Sequence, residues 1–345
     1  MVKRSLLLFF ICAAFSTNAQ TNGSTVFNSL NIPSSARVAS VGGSLLAVRD
    51  GDLNLALYNP SLLDSTSDGQ VALSYVNYFS NINLGFAAYA HHFDSLGLTM
   101  SATMQYVDYG KITQRDLSGA NIGTFQAGDY ALIIGAAMPI DSNFTIGANL
   151  KGIYSTLAGY TSVGAAVDLS ATYYNAKRKF TAAAVFSNFG YQLKGYTADV
   201  RDTLPTNFQI GITKQLKHAP FRFSIVFDQL NQWDNSFYSN NSNQTIDPIT
   251  GEVSSGKSWE FGDKLMRHVI VGTEVLLGEN FAVRLGYNYR RRQEMKLSDR
   301  PGTAGLSWGL GFKIKKFQLS YGRATYHFAG PSNNFTVTTR LADWR

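Results

Sequence analysis

Cysteine is almost missing from this chain: Cys12 is the one such residue in 345. It sits in an apolar stretch, Leu6 to Phe15, that follows Lys3 and Arg4 and precedes small residues ending at Ala19. That order of charge, apolar core and small residues is the pattern of an export signal, residues 1–19. Ile11 is too large for lipoprotein processing at Cys12, so a mature chain starting near Gln20 has no thiol. Disulfides, thiolate metal sites and cysteine nucleophiles are thereby excluded. Long apolar runs are missing as well, since no segment after the leader reaches the roughly 18 residues that a spanning helix requires. Charge is sparse at 15%, and the formal net charge of +7 falls to +5 once Lys3 and Arg4 leave. The remaining basic residues are scattered over turns and loops, which argues against nucleic acid as a partner. His91, His92, His218, His268 and His327 have no ligand spacing, so neither a metal nor another cofactor is expected.

What the chain does have is aromatic residues (Tyr 18, Phe 23), 31 glycines and a mean hydropathy near zero. A strand that alternates lipid-facing apolar with lumen-facing polar residues averages out in this way. Fourteen segments of strand length follow one another from Gln70 to Leu341. In one, Phe281, Val283, Leu285, Tyr287 and Tyr289 alternate with Ala282, Arg284, Gly286, Asn288 and Arg290. In another, Leu98, Met100, Ala102, Met104 and Tyr106 alternate with Thr99, Ser101, Thr103 and Gln105. Phe221, Phe223, Ile225 and Phe227 share a face against Arg222, Ser224, Val226 and Asp228. Links between segments are alternately tight and roomy. The tight ones are Asp94-Ser95, Ile140 to Asn143, Asn175 to Arg178, Lys217 to Pro220, Gly278-Glu279 and Lys315. The roomy ones include Tyr109 to Thr124, Phe189 to Leu204, Asn231 to Asp263, Arg292 to Pro301 and Thr325 to Asn333. Ser80-Asn81 and Ala158-Gly159 break the rhythm by being short. Periplasmic turns and longer outer loops give that rhythm in outer-membrane barrels.

The sequence therefore predicts an all-β protein: a 14-stranded antiparallel transmembrane β-barrel over residues 69–345, with a short, partly helical plug over residues 20–68. A short helix is expected within Ala36 to Val48 and a further helical turn or two within Leu53 to Leu63. An even strand count places both termini in the periplasm if the residues before Gln70 stay there. Tyr75, Tyr78, Phe79, Tyr106, Tyr109, Tyr173 and Tyr174 suit interfacial aromatic girdles. Lys151, Asp168, Arg222, Asp228, Glu274, Arg284 and Arg290 fall on predicted lumen faces. There they can pair with one another or with Arg37, Arg49 and Asp50 of the plug, as a lattice that holds it.

Motifs with catalytic associations do not survive their context. Gly305-Leu306-Ser307-Trp308-Gly309 fits the G-x-S-x-G pattern, but that elbow needs a strand, a turn and a helix. Here Leu306, Trp308, Leu310 and Phe312 carry a period of two straight through it, which makes Ser307 an ordinary lumen residue and His268 its one conceivable strand-borne partner. Ser254-Ser255-Gly256-Lys257 matches S-x-x-K in a polar loop without companion motifs. Asp50, Asp52 and Asn54 imitate the start of a calcium loop, yet Leu55 and Ser61 stand where glycine and glutamate belong. No enzyme is expected.

Ser35-Ala36-Arg37, Gly42-Gly43, Asp50-Gly51-Asp52 and Asn59-Pro60-Ser61, followed at once by the first strand, resemble the opening of the PorV and PorQ proteins of Bacteroidetes. Those barrels are similar to the FadL fatty-acid transporters. Tyr75-Val76-Asn77-Tyr78 with Asn81-Ile82 and Tyr89-Ala90 looks more like the PorQ family, as do Gly123 to Asp129 and Pro220-Phe221-Arg222 leading to Leu230 and Trp233-Asp234. The resemblance spans essentially the whole mature chain. It implies an outer-membrane component of the type IX secretion attachment complex that holds a PorZ-like surface protein and works with PorV and the sortase PorU. It marks Arg37, Asp50, Asp52, Asn59 and Pro60 as the plug motif. Outer-membrane lipid and lipopolysaccharide are further expected contacts. In the longest outward loop, Trp233, Phe237, Tyr238, Trp259 and Phe261 are candidate partner anchors, because aromatic residues dominate interface energetics. The alternative is a FadL-like conduit for hydrophobic small molecules.

Overall fold

The structure, a computed structural model, describes residues 25–198, 200–233, 245–246, 253–254, 261–295, 302–327 and 330–344. Fourteen strands close into one antiparallel barrel. They are β1 (Gln70–Asn77), β2 (Asn83–Phe93), β3 (Leu98–Arg115), β4 (Asn121–Pro139), β5 (Phe144–Leu157), β6 (Tyr160–Asn175) and β7 (Phe180–Lys194). β8 (Asn207–Gln215), β9 (Phe221–Phe227), β10 (Val269–Leu277), β11 (Phe281–Asn288), β12 (Leu306–Ile314), β13 (Phe317–His327) and β14 (Gly330–Arg340) complete it. β14 pairs with β1 from Gln70↔Arg340 to Asn77↔Asn333, so no barrel edge is left open. Closure is what lipid demands, because unpaired backbone amides have no water to turn to there. Among the described residues no helix is long and apolar enough to cross a membrane.

The alternation read from the sequence sets the two faces. Thr99, Ser101, Thr103 and Gln105 of β3 are buried in the lumen while Met104 and Tyr106 face out, and Arg284 is buried while Leu285 and Tyr287 face out. One end of the barrel carries short turns and the other the loops. At the loop end, Ser80 and Asn81 (φ 52° and 63°) and Ala158 and Gly159 (φ 49° and 87°) form two tight hairpins. Positive φ at both central residues is the type I′ geometry, whose twist matches that of paired strands.

Several expected boundaries shift. The roomy links Tyr109 to Thr124 and Thr325 to Asn333 are mostly strand, because β3 and β4 pair outward as far as Arg115↔Asn121 and β13 and β14 as far as His327↔Gly330. Phe189 belongs to β7, which continues to Lys194. β11 stops at Asn288, whose side chain accepts from the Arg291 backbone N–H and starts a short helix, α3 (Tyr289–Glu294), so Tyr289 and Arg290 leave the strand pattern. Another helix, α2 (Phe261–Arg267), precedes β10.

Residues 25–68 occupy the lumen. Their first helix, α1 (Ala36–Ser40), is shorter than expected, since Gly42 and Gly43 (φ 99° and 93°) turn the chain where a helix would continue. Two 3-10 turns follow at Leu53–Leu55 and Pro60–Leu62, capped by the side chains of Asp52 and Asn59. Thr25 bridges to Thr203 in the link between β7 and β8, and the Val26 N–H donates to the Thr203 carbonyl at 3.0 Å. That link is at the loop end, whereas Gln70 enters β1 at the turn end. The plug thus runs the length of the lumen, so the residues before Gln70 do not all stay at the turn end, the condition on which both termini are expected there.

Candidate functional site

Plug and wall meet first in a cluster of charges in the turn half of the lumen. Arg37, on α1, donates to Glu274 of β10 (Nε to Oε1, 2.9 Å), to Asp50 (2.8 Å) and to Asp52 (2.9 Å). Arg222 of β9 reaches Asp50 at 2.8 Å and Glu274 at 3.0 Å, and Arg284 of β11 reaches Glu274 at 3.0 Å. Three guanidiniums face three carboxylates, so the cluster is neutral although Glu274 and Arg37 are almost fully buried. Burial works against the charge on Asp50, but the neighbouring Arg37 and Arg222 outweigh it and hold that carboxyl well below its ordinary pKa. Asp50 and Asp52 are committed to Arg37, and Asn54 donates to Asp52, so the calcium-like spacing serves an ion-pair knot.

Asn59 and Pro60 form another fastening. The Asn59 amide donates to the Leu46 carbonyl (2.6 Å) and to Thr172 of β6 (3.0 Å), while its oxygen accepts from Ser61. Ser61 Oγ lies 2.7 Å from Thr172 Oγ1. Pro60 opens its 3-10 turn where its missing N–H costs nothing. Toward the loop end, Lys151 pairs with Asp168 (2.8 Å), and Asn188 accepts from Lys151 while donating to Asn31 of the plug. Arg290 reaches Asp228 at 3.1 Å, and Arg49 pairs with Asp64 inside the plug. All seven lumen charges named from the sequence are therefore paired, as a lattice.

A feature the sequence reading missed is a glycine track. A Cβ on Gly286, Gly322 or Gly147 would strike the plug backbone at Val41 and Gly42, at Ala36, or at Pro60 and Ser61. On Gly272 it would lie 2.9 Å from the Val41 Cβ, and on Gly309 2.5 Å from that of Ser40. The available signal was glycine recurring at lumen positions of successive strands.

Ser307 belongs to this contact: its Oγ accepts from the Gly42 N–H at 2.9 Å. The His268 ring instead meets the carbonyls of Asp228 (2.7 Å) and Trp233 (3.3 Å). Ser307→Ala should cost about 1 kcal/mol of plug attachment, the worth of one hydrogen bond, readable as a small fall in unfolding midpoint.

Two cavities lie on either side of the plug. One of about 300 Å³ opens beside Arg37, Asp50, Arg222, Glu274 and Arg284 at the turn end. The other, about 100 Å³ near the loop end, is lined by Lys151, Asp168, Asn188, Gln209, Asp228 and Arg290 among others. Leu276, Phe281 and Phe312 join the charged residues of the first, and Leu57, Ile133 and Ile270 those of the second.

Of the loop aromatics, Trp233 and Phe261 pack at a tilt with centroids 5.5 Å apart, and Trp233 stacks on His268. Phe237, Tyr238 and Trp259 lie outside the described residues, as does most of the S-x-x-K match. Of the girdle candidates, Tyr75 and Tyr106 face outward, and Tyr173 packs on Phe144. Three turn inward instead: Tyr109 donates to Asp129, Tyr78 packs on Tyr326, and Tyr174 lies under Arg49. Each finds a polar or cationic partner that lipid could not offer.

No protein-family model and no curated protein matches the sequence. Solved structures share its architecture. The CymD monoaromatic hydrocarbon channel superposes with a TM-score of 0.53 at 12% identity, over 92% of this chain and 99% of that one. The Pseudomonas putida toluene transporter TodX gives 0.51 at 12% identity, over 92% and 98%. At such identity the likeness is one of fold, a barrel type of outer-membrane proteins.

Proposed function

We propose that this chain is an outer-membrane anchor, with its loops toward the cell exterior and its lumen held shut by residues 25–68. The observation that carries this reading is the fastening of the plug: a neutral ion-pair knot, side-chain clasps at Asn59 and Ser61, and plug backbone laid on glycine. A barrel filled in this way keeps its loops free to hold a partner. The resemblance to PorQ in Tyr75 to Tyr78, Gly123 to Asp129 and Pro220 to Trp233 suggests the partner class: a PorZ-like surface protein of the type IX secretion attachment complex, acting with PorU and PorV among lipopolysaccharide.

The second reading, a conduit for hydrophobic small molecules, is what the fold comparisons favour, since CymD and TodX are described as a hydrocarbon channel and a toluene transporter. Against it stands the charge that apolar cargo would have to pass: Arg37, Asp50, Arg222 and Glu274 border one cavity, and Lys151 and Asp168 the other.

A lock on the plug separates the two. With Oγ atoms 2.7 Å apart, Ser61→Cys with Thr172→Cys places two thiols within reach of a disulfide in a mature chain otherwise free of cysteine. As an anchor, the oxidised variant retains its surface partner and co-purifies with secretion components as the parent does. As a conduit, oxidation abolishes hydrocarbon uptake and reductant restores it. Absence of any secretion component from a pull-down of the parent protein would overturn the anchor.

A further inference from the structure

The two walls of the barrel differ in reach. β9 spans seven residues, and its pairing runs a little further at each end: the Leu276 N–H donates to the Pro220 carbonyl (2.7 Å), the Asp228 N–H to that of His268 (2.8 Å) and the Leu230 N–H to that of Phe208 (2.9 Å). The rim on this side therefore lies at Asp228 and His268. On the opposite wall β3 and β4 run to 18 and 19 residues.

Directly above the short strands sits α2. Its Asp263 and Arg267 pair at 2.7 Å, and Asp263 also accepts from Tyr289 of α3, so this side of the helix faces the barrel mouth. Arg267 is 2% exposed. Phe261 and Leu265, one helical turn apart and about 200° around from Asp263 and Arg267, are 69% and 39% exposed. Trp233 packs at a tilt against Phe261 and is exposed beside them, and Met266 is exposed as well. His268 follows the helix and hydrogen-bonds to the end of β9, which fixes α2 at the rim where Phe227 pairs with Val269. The outward residues below that rim, Ile225 and Val271, belong to the lipid-facing band.

We propose that α2 lies in the membrane interface, with Phe261, Leu265 and Trp233 set among the acyl chains of the leaflet on the loop side. The helix continues the hydrophobic belt at the rim of β9 and β10. Its polar face closes against α3, its apolar face continues the band of Ile225 and Val271, and Trp233 has the mixed character suited to an interface. This assigns Trp233 and Phe261 to lipid rather than to a protein partner. It rests on the barrel spanning a membrane and not on the anchoring role, so either can fail without the other.

Leu265→Cys and Phe261→Cys, each spin-labelled in nanodiscs of saturated phosphatidylcholine, test it in a chain with no other thiol after the leader. Retained heat-modifiable mobility verifies folding. Ile225→Cys is the lipid-facing reference. The expected result is that both helix labels collide with oxygen more than with a water-soluble nickel chelate, as the reference does. Preference for nickel, meaning water, would overturn the proposal. So would shielding from both reagents, meaning a protein cover. If labelling disturbs the helix, bromolipid quenching of Trp233, with the other three tryptophans changed to Phe, reads the same depth, and absence of quenching counts against it.

Discussion

Glu274→Ala should unfasten the plug and turn a closed barrel into a leaking one. Glu274 accepts from Arg37, Arg222 and Arg284, and its removal leaves three guanidiniums facing Asp50 and Asp52 alone. Breaking a buried pair by deleting one partner costs about 3–5 kcal/mol, because the remaining charge has lost its compensation without regaining water. Part of that cost falls on plug attachment, since Glu274 is the wall carboxylate that Arg37 meets, while Asp50 and Asp52 belong to the plug itself. Stepwise conductance in a planar bilayer reads the outcome, together with proteolysis between residues 36 and 64. Asp64→Asn, which removes the charge opposite Arg49 within the plug but keeps an oxygen for the Thr66 N–H, should leave conductance unchanged. A closed, protease-resistant Glu274→Ala barrel would show that the ion-pair knot does not hold the plug.

Gly286→Val reaches the same end by shape alone. A side chain there meets the backbone of Val41 and Gly42, which cannot rotate away as a side chain could. Overpacking a well-filled interior costs about 1–3 kcal/mol. Here the strain is relieved most directly by lifting residues 41–43 off the wall, which also breaks the Gly42 to Ser307 hydrogen bond. The variant should leak while keeping the barrel's β-rich circular dichroism. Gly152→Val is the control: no atom lies within 4 Å of a Cβ at that position, so it should stay closed. Equal leakage from both variants would remove the glycine track from the account.

Much of this was legible before any coordinates. Period-two alternation in Thr99 to Gln105 and in Arg284 to Asn288 gave the two faces of the wall, because a strand has only two sides on which to place successive residues. The lumen charges could be named for the same reason. Arg37, Asp50 and Asn59 were visible as a motif, but what they hold was not, since Arg37 and Glu274 are 237 residues apart and meet only when the barrel closes around α1. Loop lengths were read least well. In β3 and β4, pairing carries on beyond the membrane with exposed residues on both faces, so hydrophobicity no longer marks the strand. Tyr78, Tyr109 and Tyr174 were misplaced because aromatic type alone does not say which face a residue takes near a strand end.

By itself the sequence determined a closed barrel wall: period-two alternation over fourteen segments leaves a chain little else to do with its backbone polar groups. Tertiary structure alone decided where residues 25–68 run, from the loop end down the lumen. It also decided that glycines of the wall make room for them and that the rim beside β9 is topped by a helix. Those outcomes depend on which strands become neighbours when the barrel closes, a pairing of distant residues that local pattern cannot encode.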